Sequence, residues 1–152
     1  MPKTNNRNWY DLSRKSIKAV YGQDWKLVCG LIAATSARAS IQANLSLARK
    51  AYNQIKANGT IDPTTFMHSH YLSLLHVIKT GKPNGRKCNA LYRNLIGKAD
   101  SVPVDIWMMR LAGLTTKAPT SKQYDWIEST VKIEAEQLGL TCAARQAELW
   151  CQ

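Results

Sequence analysis

Apolar side chains in this chain return mostly every three or four residues, and no strand-length stretch alternating every second residue sets its organisation. The stretch "SIQANLSLARKAYNQIKANG" sets the pattern. Ile41, Leu45, Ala48, Tyr52 and Ile55 share one face, and Asn58-Gly59 closes the run. A strand with this spacing would scatter its apolar residues over both faces, so the chain must bury them by laying helix against helix. The predicted class is all-α, a compact helical domain. A hydrophobic fraction of 45% suffices for a packed interior, and 152 residues read as a single domain over 1–152.

The same period marks the remaining helices. "WYDLSRKSIKAVYG" places Trp9, Leu12, Ile17, Val20 and Tyr21 at roughly helical spacing and stops at Gly22. Asp24 is a good N-cap for the apolar run 27–34, which ends in the small, polar "ATSARAS". Another helix starts near Asp62-Pro63 and carries Phe66, Leu72, Leu75 and Ile78 toward the core, as far as the punctuation "TGKPNG". "RKCNALYRNLIG" packs Ala90, Leu91, Leu95 and Ile96. "PVDIWMMRLAGL" begins at Pro103 and ends around Gly113, with Trp107, Met108 and Met109 mostly inward. "TSKQYDWIESTVKIEAEQLG" takes Thr120 or Ser121 as cap and buries Tyr124, Ile127, Val131 and Ala135, with Trp126 read as buried too. In "CAARQAELWCQ", Leu149 and Trp150 are able to dock. No repeat, low-complexity tract or linker interrupts this series.

Charge narrows the partner. Lys and Arg number 21 against 10 acidic residues, a formal +11, and such a surplus on a small domain attracts polyanions, of which nucleic acid is the commonest. Double-stranded DNA is the expected partner. Cys29, Cys88, Cys142 and Cys151 form no CxxC pair and no His/Cys cluster, so neither a metal nor another cofactor is expected; His68, His70 and His76 read as surface or packed residues. The start has no apolar leader and no run is long enough to span a bilayer, which predicts no membrane partner and an intracellular location, nucleoid-associated or in a phage-infected cell. No heptad seam or apolar stripe stands out, and a monomer is expected.

The segment "KTGKPNGRKCNA" carries the functional expectation. A helix ends near Lys79, a tight turn follows, and a new helix opens at Gly85-Arg86 with its free amides and positive dipole end directed outward. Lys79, Lys82, Arg86 and Lys87 surround that anion site with charge. Lys87 is placed on the first turn, where dipole and neighbouring cations crowd its amine, the setting of an activated nucleophile. Asp105 stands at the start of the next helix, either as a functional carboxylate or as a helix-capping acid. Thr35, Ser36 and Arg38 form a turn that either faces DNA or is a polar helix end, and Arg110 faces a phosphate or water.

The stretch "NGRKCNALYRNLIGKADSVPVDIWMMR" resembles the signature of the helix-hairpin-helix DNA glycosylases: a glycine hairpin, a lysine, a helix, then "PVD" and a second helix. "LIAATSARASIQANLSLARKAY" is similar to the earlier family segment whose turn enters the lesion site. Together the resemblance covers most of 31–114 and implies a minimal, phage-type member. It departs from the family at Pro83, where a glycine is usual, and at Thr35, where a glutamine is frequent, and it has no iron–sulfur cysteines. The resemblance implies a DNA base N-glycosylase with AP-lyase activity, in which Lys87 attacks the sugar and Asp105 assists. DNA contacts would fall at Lys82, Asn84, Gly85, Arg86, Arg38 and Arg110, and Thr35 and Ser36 would line the base pocket. The competing readings are a non-catalytic DNA-binding module, a nucleobase-processing enzyme of related fold acting on hypermodified pyrimidines, and a basic interaction protein.

Overall fold

The computed structural model describes residues 6–116 and 118–150. They form eight α-helices and, among the described residues, no strand: α1 (Trp9–Tyr21), α2 (Trp25–Ala34), α3 (Ile41–Asn58), α4 (His68–Thr80), α5 (Arg86–Ile96), α6 (Ile106–Leu111), α7 (Ser121–Leu138) and α8 (Cys142–Trp150). The all-α class follows directly. No described helix is long and apolar enough to cross a membrane. The chain divides into two compact units, Lys15–Tyr92 and the pair of segments Met1–Arg14 and Arg93–Gln152.

In the Lys15–Tyr92 unit α2 is the centre. It is apolar nearly all round, and every residue from Val28 to Ala34 is buried. α3 runs antiparallel to it. Thr35 Oγ1 donates to Asn44 Oδ1 at 2.7 Å at one end, and the Tyr52 hydroxyl donates to Asp24 Oδ2 at 2.7 Å at the other. The residues α3 buries are Ala48 and Ala51, whose small side chains let the backbones approach. That choice rotates the predicted stripe, so Ile41 and Leu45 stand exposed at the start of the helix. α4 is antiparallel to α2 on another side: Gly30 faces Val77, and His70 Nε2 lies 2.7 Å from the Ala37 carbonyl. A Cβ on Gly30 would sit 3.0 Å from Val77 Cγ1, so the glycine sets how closely the two helices pack.

α4 begins at His68 rather than at Asp62-Pro63. The Asp62 carboxylate accepts from both the amide and the hydroxyl of Thr64, at 2.9 and 2.7 Å, which folds 62–65 into a local turn instead of a first helical turn. Ile61 and Phe66, on either side of it, are buried.

In the other unit, Val102, Val104, Met108, Met109, Tyr124, Ile127 and Val131 form the core, with Leu149 of α8 packed against it. The helix predicted from Pro103 starts instead at Ile106. Val102 and Val104 are needed as extended-chain core residues, and Asp105 then acts as N-cap, accepting from the Met108 amide at 3.0 Å. Buried Asn94 fixes the segment before it by donating to the Ser101 carbonyl and accepting from the Ser101 amide. Tyr124 donates its hydroxyl to the Val102 carbonyl at 2.7 Å. α7 opens on a full capping box, Thr120 with Gln123, and closes on Gly139 in the left-handed region. Trp150 docks edge-on against Trp9, as expected of the chain's last helix. Trp107 and Trp126 do not go inward: they are 56% and 54% exposed.

Candidate nucleic-acid interface

The cations are divided unequally. Lys15–Tyr92 holds eleven Lys and Arg against two acidic residues, +9, whereas the other unit holds ten against eight, +2. Both acids of the basic unit are already engaged. Asp24 accepts from Tyr52 and lies 3.3 Å from Lys56, and Asp62 is tied to Thr64. In the near-neutral unit the charges meet each other: Arg7 with Glu148, Arg14 with Asp11, Arg93 with Asp100, Lys132 with Glu128, and Arg145 with Glu134 and Glu148. Almost the whole positive surplus therefore belongs to the Lys15–Tyr92 unit, where too few carboxylates stand by to neutralise it.

The turn between α4 and α5 is built to present that charge. Gly81 closes α4 in the left-handed region, and its amide bonds back to the Val77 carbonyl. The Lys82 carbonyl then folds inward, accepting from Thr80 Oγ1 and meeting His76 Nδ1, each at 2.9 Å. Pro83 is buried beneath the turn, while Lys82, Asn84, Gly85 and Arg86 are exposed. With the carbonyl so engaged, the cationic side chains that the turn exposes are those of Lys82 and Arg86. Gly85, at φ +85°, starts α5, and glycine has no side chain with which to cap the first-turn amides. Lys26 joins the same end of the unit. It stands one helical turn before Gly30, and Gly30 faces Val77 and the Gly81 carbonyl. Beside it, Lys18 lies over the Trp25 ring at 4.4 Å and Lys26 at 5.6 Å.

The sequence-predicted site residues distribute as follows. Lys87 is half-buried on the first turn of α5, in the basic unit. Asp105 and Arg110 belong to the other unit; Asp105 caps α6, and Arg110 lies over the Trp107 ring at 5.0 Å. Arg38 is exposed in the left-handed region, at φ +56°, which aims a cation off the tip of the 35–40 loop. Thr35 is fully buried and donates to the Leu31 carbonyl and Asn44 Oδ1, and Ser36 Oγ donates to the Ala33 carbonyl. Of the two options open for these hydroxyls, the bonds they make are those of a polar helix end. His70 is packed: its Nε2 meets the Ala37 carbonyl, and its Nδ1 is buried without a hydrogen-bond partner. Among the described residues no cluster of His, Cys, Asp or Glu is arranged to hold a metal. Among the described residues Cys29, Cys88 and Cys142 form no disulfide, and Cys151 lies outside the described residues.

Four carboxylates are held below their ordinary range. Tyr52, then Lys56, lowers Asp24; Thr64 lowers Asp62; Arg93 lowers Asp100; Arg7 and then Arg145 lower Glu148. The Asp24 bond in turn raises the Tyr52 hydroxyl. A depressed carboxylate stabilises the fold while it is charged, so this stability is complete above the ordinary carboxylate range and is lost as pH falls through it. The thermal midpoint followed by circular dichroism is expected to be flat from neutrality to about pH 5 and to drop below about pH 4. A midpoint that rises on acidification would show that these contacts do not hold the fold.

One family model spans residues 2–152 of this sequence. The chain belongs to DUF7178, a family of unknown function. No curated protein and no solved structure matches it. For this DUF7178 chain the functional argument therefore rests on its own charges and geometry. The feature that sequence reasoning missed is the division of charge. All 21 cations are visible in the sequence, but the boundary that sorts them is a product of packing.

Proposed function

We propose that this DUF7178 chain binds double-stranded DNA through its Lys15–Tyr92 unit, with the turn between α4 and α5 as the leading phosphate contact. The observation that carries the reading is the +9 surplus of that unit against +2 in the other. Phosphates are taken up by Lys79, Lys82, Arg86 and the N-terminal end of α5, with Lys26 and Lys18 extending the track. Contacts of this kind fix position on the duplex and carry no base sequence, so affinity depends steeply on salt and weakly on sequence.

A second reading, base excision, is supported by the resemblance and by one observation. Lys87 sits half-buried on the first turn of α5, next in sequence to the exposed Arg86 of the turn. In this reading the target nucleotide leaves the stack, and the Lys87 amine attacks C1′, giving up a proton as the N–C1′ bond forms. The C1′–N bond to the base breaks with its electron pair going to the base, which takes up a proton. The C1′–O4′ bond then breaks with its electron pair going to O4′, which takes up a proton, and the opened sugar is left as an imine of Lys87. Loss of a proton from C2′ of the resulting imine then expels the 3′ phosphate with the C3′–O electron pair. The resemblance assigns Asp105 to stabilise the sugar cation, and its observed bond is the cap on Met108. Borohydride reduction on abasic-site DNA is expected to trap wild-type protein covalently and to leave Lys87→Gln untrapped, with duplex affinity kept within about threefold because only one cation is lost. Equal trapping of the variant would remove Lys87 from the chemistry. Trapping of neither protein would remove base excision by imine and leave the binding reading standing.

A further inference from the structure

α7 carries two large apolar residues that its own unit does not cover. Trp126 is 54% exposed and Ile133 is 56% exposed. They are seven residues apart, two helical turns, on the face opposite buried Tyr124, Ile127, Val131 and Ala135. Between them lie the small, exposed Ser129 and Thr130. The exposed charges flanking this stripe follow an order of their own: Lys122, Asp125, Lys132 and Glu136 share one flank of the helix.

Two features of that order point to one kind of occupant. Lys122 stands in the first turn of α7 and Glu136 in the last, and α7 has no acid in its first turn and no base in its last. This is the reverse of what the helix dipole favours. The order is also self-complementary about Ser129. When a second α7 is laid antiparallel across the stripe, residues whose numbers sum to about 258 come level. Lys122 then meets Glu136 of the other copy, Asp125 meets Lys132, and Trp126 lies against Ile133, with every contact made twice by symmetry. Small residues at the centre allow the close crossing that such packing needs.

We infer that the exposed face of α7 is the contact surface of a two-fold symmetric dimer of this chain, formed by antiparallel α7 helices. The interface is isologous, so each copy supplies both the positive and the negative end. A contact of one helix per copy is small, which makes the dimer weak and dependent on concentration. It uses the unit of low net charge. The dimer would stand even if the nucleic acid reading failed.

Sedimentation equilibrium of the full chain from micromolar to hundreds of micromolar tests the inference, with circular dichroism confirming that each variant stays helical. The wild type is expected to pass from monomer to dimer across that range. Trp126→Ala with Ile133→Ala, and separately Lys122→Glu, are expected to weaken dimerisation at least tenfold. The exchange Lys122→Glu with Glu136→Lys restores both ion pairs in an antiparallel symmetric contact and is expected to bring dimerisation back. A wild type that stays monomeric throughout, a dimer that survives loss of Trp126 and Ile133, or a charge exchange that fails to rescue would each overturn the proposal.

Discussion

Replacing Lys79, Lys82 and Arg86 together by alanine is expected to lower affinity for duplex DNA at least tenfold at physiological salt. It should also reduce the slope of log affinity against log salt by about two to three, since each phosphate neutralised contributes about 0.9 to that slope. The turn itself should survive these changes. Its geometry is held by the Lys82 carbonyl, Pro83 and the glycines, none of which the substitutions touch. Lys98→Ala with Arg110→Ala removes two cations from the other unit and is expected to change affinity by less than about twofold. Fluorescence anisotropy with labelled duplex at several salt concentrations measures all of these. Equal losses from the two sets would mean that the binding surface does not follow the division of charge.

Leu74→Ala is expected to have the largest effect on stability. Leu74 is fully buried in α4, and deleting such a side chain removes its transfer free energy and leaves a cavity, about 2–5 kcal/mol in all. In a chain of this size that corresponds to a midpoint lower by roughly 5–15 °C. Leu72→Ala, two residues away at 51% exposure, is expected to cost less than about 0.5 kcal/mol. Thermal melts of the two variants side by side check the orientation of α4. Comparable losses would mean that α4 is rotated from the face described.

That pair of leucines also shows where sequence reading succeeds and where it fails. Helix existence was legible almost throughout, because a spacing of three to four residues has no other stable use, and the stops at Gly59, Gly81 and Gly139 are left-handed glycines as their positions implied. Facing was less legible. Ile41, Leu45 and Leu72 were expected on inward faces and are exposed, since α2 is apolar on every side and α3 meets it with the small residues Ala48 and Ala51. Two helix starts shifted for a different reason. Asp62 spends its carboxylate on Thr64, and Val102 and Val104 are needed in the core as extended chain. Such demands come from tertiary packing, which no local window contains.

The candidate interface was half legible. Gly81, Lys82, Pro83, Asn84, Gly85 and Arg86 form the turn that their residue types dictate, with the exposed cations that the sequence places there. Thr35 and Ser36 could be read either way, and their bonds to Leu31, Asn44 and Ala33 place them in the helix end. The exposed stripe on α7 was hidden as well. Trp126 and Ile133 look like core residues until the opposite face, through Tyr124, Ile127 and Val131, is seen to fill the core on its own.

Amide hydrogen exchange of the full chain, with and without a saturating duplex, tests the central claim most directly. Binding is predicted to slow exchange at the turn, over 81–88, and at the N-terminal turn of α2, while amides of α6 and α7 change no more than they do on adding salt. Protection confined to α6 through α8, or no protection anywhere at a duplex concentration that saturates anisotropy, would contradict it.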